Sequence, residues 1–152
     1  MASMSNYLRN KLIDWFLRQE AFSPPATVYV ALCTSAPTAA AAGTEVSTSG
    51  TGYAREAVTS SLTNWAGTQA ALSTAVSSGT SGETSNNSAI DFGTATTGWG
   101  TVSHWEIYDA ATSGNRLIFG TIVDGVGSPS PRTIVAADPV SFPASALVWN
   151  IS

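Results

Sequence analysis

The chain is short of nearly everything that chemistry on a substrate uses. Its 152 residues include one histidine, His104, one cysteine, Cys33, and one lysine, Lys11, and charged residues make up only 11%. Each scarcity excludes something. A lone cysteine cannot build an internal disulfide framework. A single histidine, far in sequence from that cysteine, leaves no zinc-ligand set, and the acids lack the dense alternation of a calcium loop. One lysine and five scattered arginines under a net charge of −4 provide no clustered basic surface, so no nucleic-acid partner is expected. No apolar run is long enough to cross a bilayer, which argues against membrane insertion. Met1-Ala2-Ser3-Met4 leads into charged residues instead of the apolar centre of a signal peptide, so synthesis in the cytoplasm is expected. No cofactor is expected.

What is present suits a scaffold. Short runs of Val, Ile, Tyr and Trp sit in a background of Ser, Thr, Ala and Gly. A hydrophobic content of 43% with five tryptophans can fill a core. At this length one domain is expected.

Ser5 or Asn6 can cap a helix running to about Gln19. Leu8, Leu12, Trp15 and Phe16 recur at i, i+4, i+7 and i+8 and make one apolar stripe. Ser23-Pro24-Pro25 stops the helix, because proline lacks an N–H and disfavours helix before it. A helix this short is marginal alone, so the stripe must dock, either on its own domain or into a neighbouring subunit. Residues 1–22 are read as this docking or assembly element, and residues 23–152 as the β domain.

Beyond the prolines the pattern is β. Thr27 to Cys33 reads as a strand, with Cys33 packed as a small buried hydrophobe. Thr34 to Ser49 reads as a loop, and Tyr53 to Thr59 as a strand with Tyr53, Arg55 and Ala57 on one face. Leu62 to Ala75 is ambiguous. The polar stretch Ser77 to Ser88 reads as a mobile tip or an outer-edge insertion, with Asn86-Asn87-Ser88 a bare glycosylation triplet. Ala89 to Phe92 begins another strand. Thr101 to Tyr108 alternates, Asp109 to Asn115 turns, and Arg116 to Val123 returns, which predicts a hairpin. Thr133 to Ala136 and Ala146 to Ile151 supply the last strands. Short strands between Gly, Pro and Ser turns predict an all-β antiparallel sandwich, jelly-roll or immunoglobulin-like, behind one N-terminal helix.

Candidate chemistry is thin. His104 and Glu106 share a strand face at i and i+2, the one pair that invites an acid–base role, and no catalytic residue is assigned. Gly50-Thr51-Gly52 and Gly98-Trp99-Gly100 lack the downstream residues of a phosphate loop and read as tight turns with positive φ. Trp65, Trp99, Trp105 and Trp149 read as core or interface aromatics. Were Trp99 or Trp105 exposed, they could stack on a sugar.

Several blocks in order carry a resemblance: Ser5-Asn6-Tyr7-Leu8-Arg9-Asn10-Lys11-Leu12-Ile13-Asp14, then Pro24-Pro25-Ala26-Thr27-Val28-Tyr29-Val30-Ala31-Leu32, Gly43-Thr44-Glu45-Val46 and Gly52-Tyr53-Ala54-Arg55. Asn64-Trp65-Ala66, Gly98-Trp99-Gly100-Thr101-Val102-Ser103-His104 and Ile107-Tyr108-Asp109-Ala110-Ala111 follow. Together they resemble a family of small tailed-bacteriophage virion proteins commonly labelled phage tail fibre proteins. The resemblance implies a non-enzymatic, tail- or fibre-associated structural protein of the virion, assembling with copies of itself, as a trimer, and with other virion proteins. Leu8, Leu12, Trp15 and Phe16 are the expected assembly interface. Two other readings stand beside it: a capsid decoration (cement) protein that reinforces the head shell, and a carbohydrate-binding module whose partner would be a host-surface glycan.

Overall fold

Alternating β-branched and aromatic residues form the centre of the fold in a computed structural model that describes residues 2–151. In chain order the elements are β1 (Ser3–Met4), α1 (Asn6–Arg18), β2 (Thr27–Cys33), β3 (Glu56–Thr59), β4 (Glu83–Ser85) and β5 (Ile90–Thr94). Then follow β6 (Gly100–Val102), β7 (His104–Tyr108), β8 (Arg116–Thr121), β9 (Arg132–Ile134), β10 (Pro139–Phe142) and β11 (Val148–Asn150). Strands β1-β8-β7-β2-β3 form one antiparallel five-stranded sheet, while β5–β10, β4–β11 and β6–β9 are two-stranded ladders.

The register decides which side chains meet. Leu32 lies opposite Trp105, Val30 opposite Ile107, and Ile107 opposite Ile118. These residues join Ile90 and Phe92 of β5, Val102 of β6, Ile134 of β9 and Leu147 in one buried core. The ladders therefore supply the second layer of an all-β antiparallel sandwich, as the strand pattern predicts. Each fully buried large apolar side chain contributes roughly 1.5–3 kcal/mol. Trp105 also covers the strand beside it. A Cβ on Gly120, its cross-strand partner, would stand 2.5 Å from the Trp105 Cζ2 atom, so any larger residue there would force the indole to shift.

The helix is rooted in the sheet. β1 pairs with β8, the Ser5 N–H donates to the Leu117 carbonyl, and the Ser5 hydroxyl donates to the Arg116 carbonyl. Ser5 is the N-cap, its Oγ accepting the Leu8 N–H. The helix ends at Arg18, ahead of the prolines, because Gln19 turns left-handed at φ 57° and its N–H bonds back to Asp14.

Several expectations need revising. The run from Thr101 to Tyr108 is two strands. At Ser103, whose N–H donates to the Cys33 carbonyl, the chain leaves the β6–β9 ladder for the main sheet. The corner shifts the alternation, so Val102 enters the core with Trp105 instead of sharing a face with Glu106. The expected strand from Tyr53 begins only at Glu56, because Tyr53 is drawn inward: its hydroxyl accepts the Leu32 N–H and donates to Glu45. The polar stretch from Ser77 ends in β4 and in a buried Asn86. That side chain donates to the Ser88 and Pro143 carbonyls and accepts the Leu147 N–H, so it is not offered for glycosylation. Strands β1 and β10 have no counterpart in the sequence reading, and Leu62 to Ala75 forms turns without a strand or helix. Gly50, Gly52 and Gly100 take positive φ as expected of tight turns, and the Trp99 indole N–H ties the two turns together by donating to the Thr51 carbonyl at 2.9 Å.

Candidate functional site

Two features stand apart from ordinary packing: a knot of buried charges and the outer half of the helix. The knot lies on the sheet face away from the core and centres on Glu106, which is 0% exposed. Its Oε1 accepts from Arg116 Nη1 at 2.6 Å and from the Gly43 N–H at 3.0 Å. Its Oε2 accepts from the Tyr108 hydroxyl at 2.8 Å and the Cys33 thiol at 3.3 Å. Arg116 in turn donates to the carbonyls of Ala41, Ala39 and Thr38, pinning the loop after β2. A second pair adjoins the first. Arg55 binds Glu45 through two nitrogens, at 3.0 and 2.8 Å, and its guanidinium lies 3.6 Å from the centre of the Tyr108 ring.

Burial, followed by the neighbouring Glu106, pushes the Cys33 thiol far above its usual range. Burial and the bond to Glu106 do the same to the Tyr108 phenol. Both groups stay protonated and donate. The knot is therefore a clasp: four donors saturate one carboxylate, and that carboxylate neutralises one guanidinium. His104 does not enter it. Its Nδ1 pairs with the Ser103 hydroxyl at 2.8 Å, and burial lowers its basicity. The shared strand face is real, yet the structure makes no hydrogen bond between His104 and Glu106. Among the described residues no group of three or more His, Cys, Asp or Glu side chains is placed to hold a metal ion.

The structure divides the helix stripe in two. Leu8 is buried and Leu12 half-buried, both against the chain's own core. Trp15 and Phe16 are 50% and 70% exposed, their rings 4.6 Å apart, and Ile13 and Leu17 beside them are equally open. Stripe periodicity did not single out Ile13 and Leu17; the signal was the unbroken apolar run Trp15-Phe16-Leu17, too wide for one packed face. Of the four tryptophans weighed in strands and loops, Trp99 and Trp105 are buried and Trp65 and Trp149 are half-buried against the core. Trp99 and Trp105 thus have no free face for a sugar. A polar cavity of about 450 Å³ near Thr68, Gln69, Ser81 and Glu83 has no aromatic residue in its lining.

A β scaffold with two ion pairs held within it and an apolar helix end presented outside suits a structural protein. Residues 3–150 match the family model described as podophage GP4 fiber I protein gp80, and the chain belongs to that family. It is a phage fibre structural protein and a component of the virion. No curated protein matches the sequence.

Proposed function

We propose that the protein is a non-enzymatic subunit that assembles with copies of itself, as a trimer, and joins the fibre apparatus of the particle through the outer half of α1. The observation that supports this reading is the tip itself. Ile13, Trp15, Phe16 and Leu17 stand exposed on a helix whose root is fastened by Leu8, Leu12 and Ser5. Covering a large apolar side chain stabilises by roughly 1.5–3 kcal/mol, and aromatic residues dominate the binding energy of interfaces. The family description names a fibre, which favours a fibre position over the head shell.

The test is the oligomer mass in solution, by light scattering and sedimentation. Wild type is expected as a trimer, and Trp15→Ser with Phe16→Ser as a folded monomer whose melting temperature drops to that of the isolated subunit and no longer depends on protein concentration, because assembly stabilises the native state. A monomeric wild type at high concentration would refute self-assembly. A side-chain-resolution reconstruction of the intact particle tests position. Density confined to the fibres supports the reading, and density spread over the capsid lattice overturns it in favour of decoration.

A further inference from the structure

The root of α1 and the buried clasp meet at two points. The first is the Ala39 carbonyl, which accepts from the Asn6 N–H at 2.9 Å and from Arg116 Nη2 at 3.3 Å. The second is Ser5, whose hydroxyl accepts the Leu8 N–H and donates to the Arg116 carbonyl. A helix leaves its first N–H groups without intrahelical partners, so the loop after β2 caps one of them and Ser5 another. Arg116 thus grips the loop with its guanidinium and the helix root with its backbone. The loop itself is a closed body. The Thr34 N–H donates to the Thr44 carbonyl, the Thr38 N–H to the Ala41 carbonyl, and the Ser35 hydroxyl to Thr44 Oγ1. A Cβ on Gly43 would stand 2.5 Å from the Ser35 carbonyl oxygen, so the two arms of the loop press together. Among the described residues, loop 34–44 is hydrogen-bonded to the rest of the chain through Arg116, Glu106 and Asn6. Two of those three also hold the helix root.

We propose that α1 and loop 34–44 dock and undock as one cooperative unit latched by the Glu106–Arg116 pair, so that a partner covering the helix tip at one end tightens the loop at the other. The transmission from tip to loop rests on the assembly reading above; the coupling of loop and helix root does not. A connected set of contacts carries coupling when it has two states that both ends bias. In the closed state Arg116 holds Thr38, Ala39 and Ala41, and the Ala39 carbonyl holds Asn6. In the open state these bonds are lost together, because the loop cannot leave Arg116 without uncapping the helix. Proteins open locally in contiguous cooperative units short of global unfolding, and a coupling between two ends is reciprocal. The rival arrangement is a helix held by its apolar root alone, with Leu8 and Leu12 on the core and β1 paired to β8 whatever the loop does.

Native-state hydrogen exchange on the full-length chain reads both ends, in the W15S/F16S background so that assembly contributes nothing. The loop reporters are the N–H groups of Thr38 and Ala41, bonded to the Ala41 carbonyl and the Thr38 hydroxyl, and the helix reporter is the Arg9 N–H, bonded to the Ser5 carbonyl. Ser5→Ala removes the cap and is expected to speed Arg9 exchange by ~2- to ~30-fold, and Thr38 and Ala41 by the same factor. Glu106→Gln opens the latch from the other end and is expected to speed all three by about a hundredfold. The amides of β7, at the centre of the sheet, mark global unfolding and are expected to remain slower in every variant. Loop amides that keep the parental rate in Ser5→Ala, or Arg9 keeping it in Glu106→Gln, would overturn the coupling and leave the helix on its apolar root. Loop and helix rates equal to those of β7 throughout would also overturn it, because no separate unit then opens. Wild type, at a concentration where it is assembled, is expected to exchange Thr38 and Ala41 ~5- to ~150-fold more slowly than W15S/F16S. Equal rates there would overturn the transmission from tip to loop. A wild type that stays monomeric refutes the assembly reading alone, since Ser5→Ala and Glu106→Gln decide the coupling without it.

Discussion

Replacing Glu106 with glutamine tests the clasp with minimal change of shape. The glutamine oxygen can still accept from Arg116 and the Gly43 N–H, but the side-chain amide now meets the Tyr108 hydroxyl and the Cys33 thiol where a carboxylate oxygen accepted both. The larger loss is charge. Arg116, itself buried, keeps its three carbonyl partners and loses its only ionic one. Removing one member of a buried ion pair costs about 3–5 kcal/mol, and the surviving carbonyl bonds place this case at the lower end. For a chain of this size ~1 kcal/mol shifts melting by ~2–4 °C, so E106Q should melt about 6–12 °C below wild type. Urea unfolding should show a lower midpoint at constant slope, and limited proteolysis should open the 34–44 loop first. Asp14→Asn, which breaks the exposed Arg18–Asp14 pair, serves as reference and should cost no more than about 0.5 kcal/mol. An E106Q curve superimposable on that of Asp14→Asn would refute the view that the clasp holds the loop.

Two further outcomes follow from the same contacts. Cys33, Tyr53 and Tyr108 are all held protonated well above their ordinary values, chiefly by burial. The unfolded chain releases those protons first, at about pH 8.5 for cysteine and about pH 10 for tyrosine. Stability should therefore be complete below about pH 8.5 and fall above it, by about 1.4 kcal/mol per pH unit for each group titrating. Cys33→Ala should delay the onset to about pH 10 in urea midpoints measured against pH, and an unchanged onset would refute the assignment. Gly120→Ala should cost about 1–3 kcal/mol by forcing the Trp105 ring aside, while Gly125→Ala, with nothing within 4 Å, should leave the melting temperature unchanged.

Much of this fold could be read locally. The hairpin of β7 and β8 announces itself by alternation on both arms and by Ser113-Gly114-Asn115 between them, and the helix by its cap and stripe. The corner at Ser103 is silent, because a serine between two valid alternating runs looks like part of either one. Asn86 misleads for the reverse reason: it sits in a run of Ser, Thr and Asn whose composition signals exposure, while two of its three side-chain hydrogen bonds depend on Pro143 and Leu147 far along the chain. The clasp was half-legible. A carboxylate between Trp105 and Ile107 in a strand is conspicuous, and its charge demands a partner, but nothing local points to Arg116 or to a thiol on β2. His104 drew attention by adjacency, yet the residue that matters on that face faces inward with an arginine. The helix stripe located the tip but could not divide it, since periodicity alone does not say that Leu12 reaches the core while Trp15 stays half open.

The loop after β2 is gripped by what every amino acid possesses. Arg116 reaches the carbonyls of Thr38, Ala39 and Ala41, and Glu106 reaches the N–H of Gly43, while the side chains of Ala40, Ala41 and Ala42 point to solvent and contribute nothing to the hold. Such a loop can be rewritten without loosening. Residues 40–42 are thus a place where sequence can change while the scaffold beneath stays fixed. For an engineer it is a three-residue window into which a randomised peptide could be placed without cutting the hold beneath it.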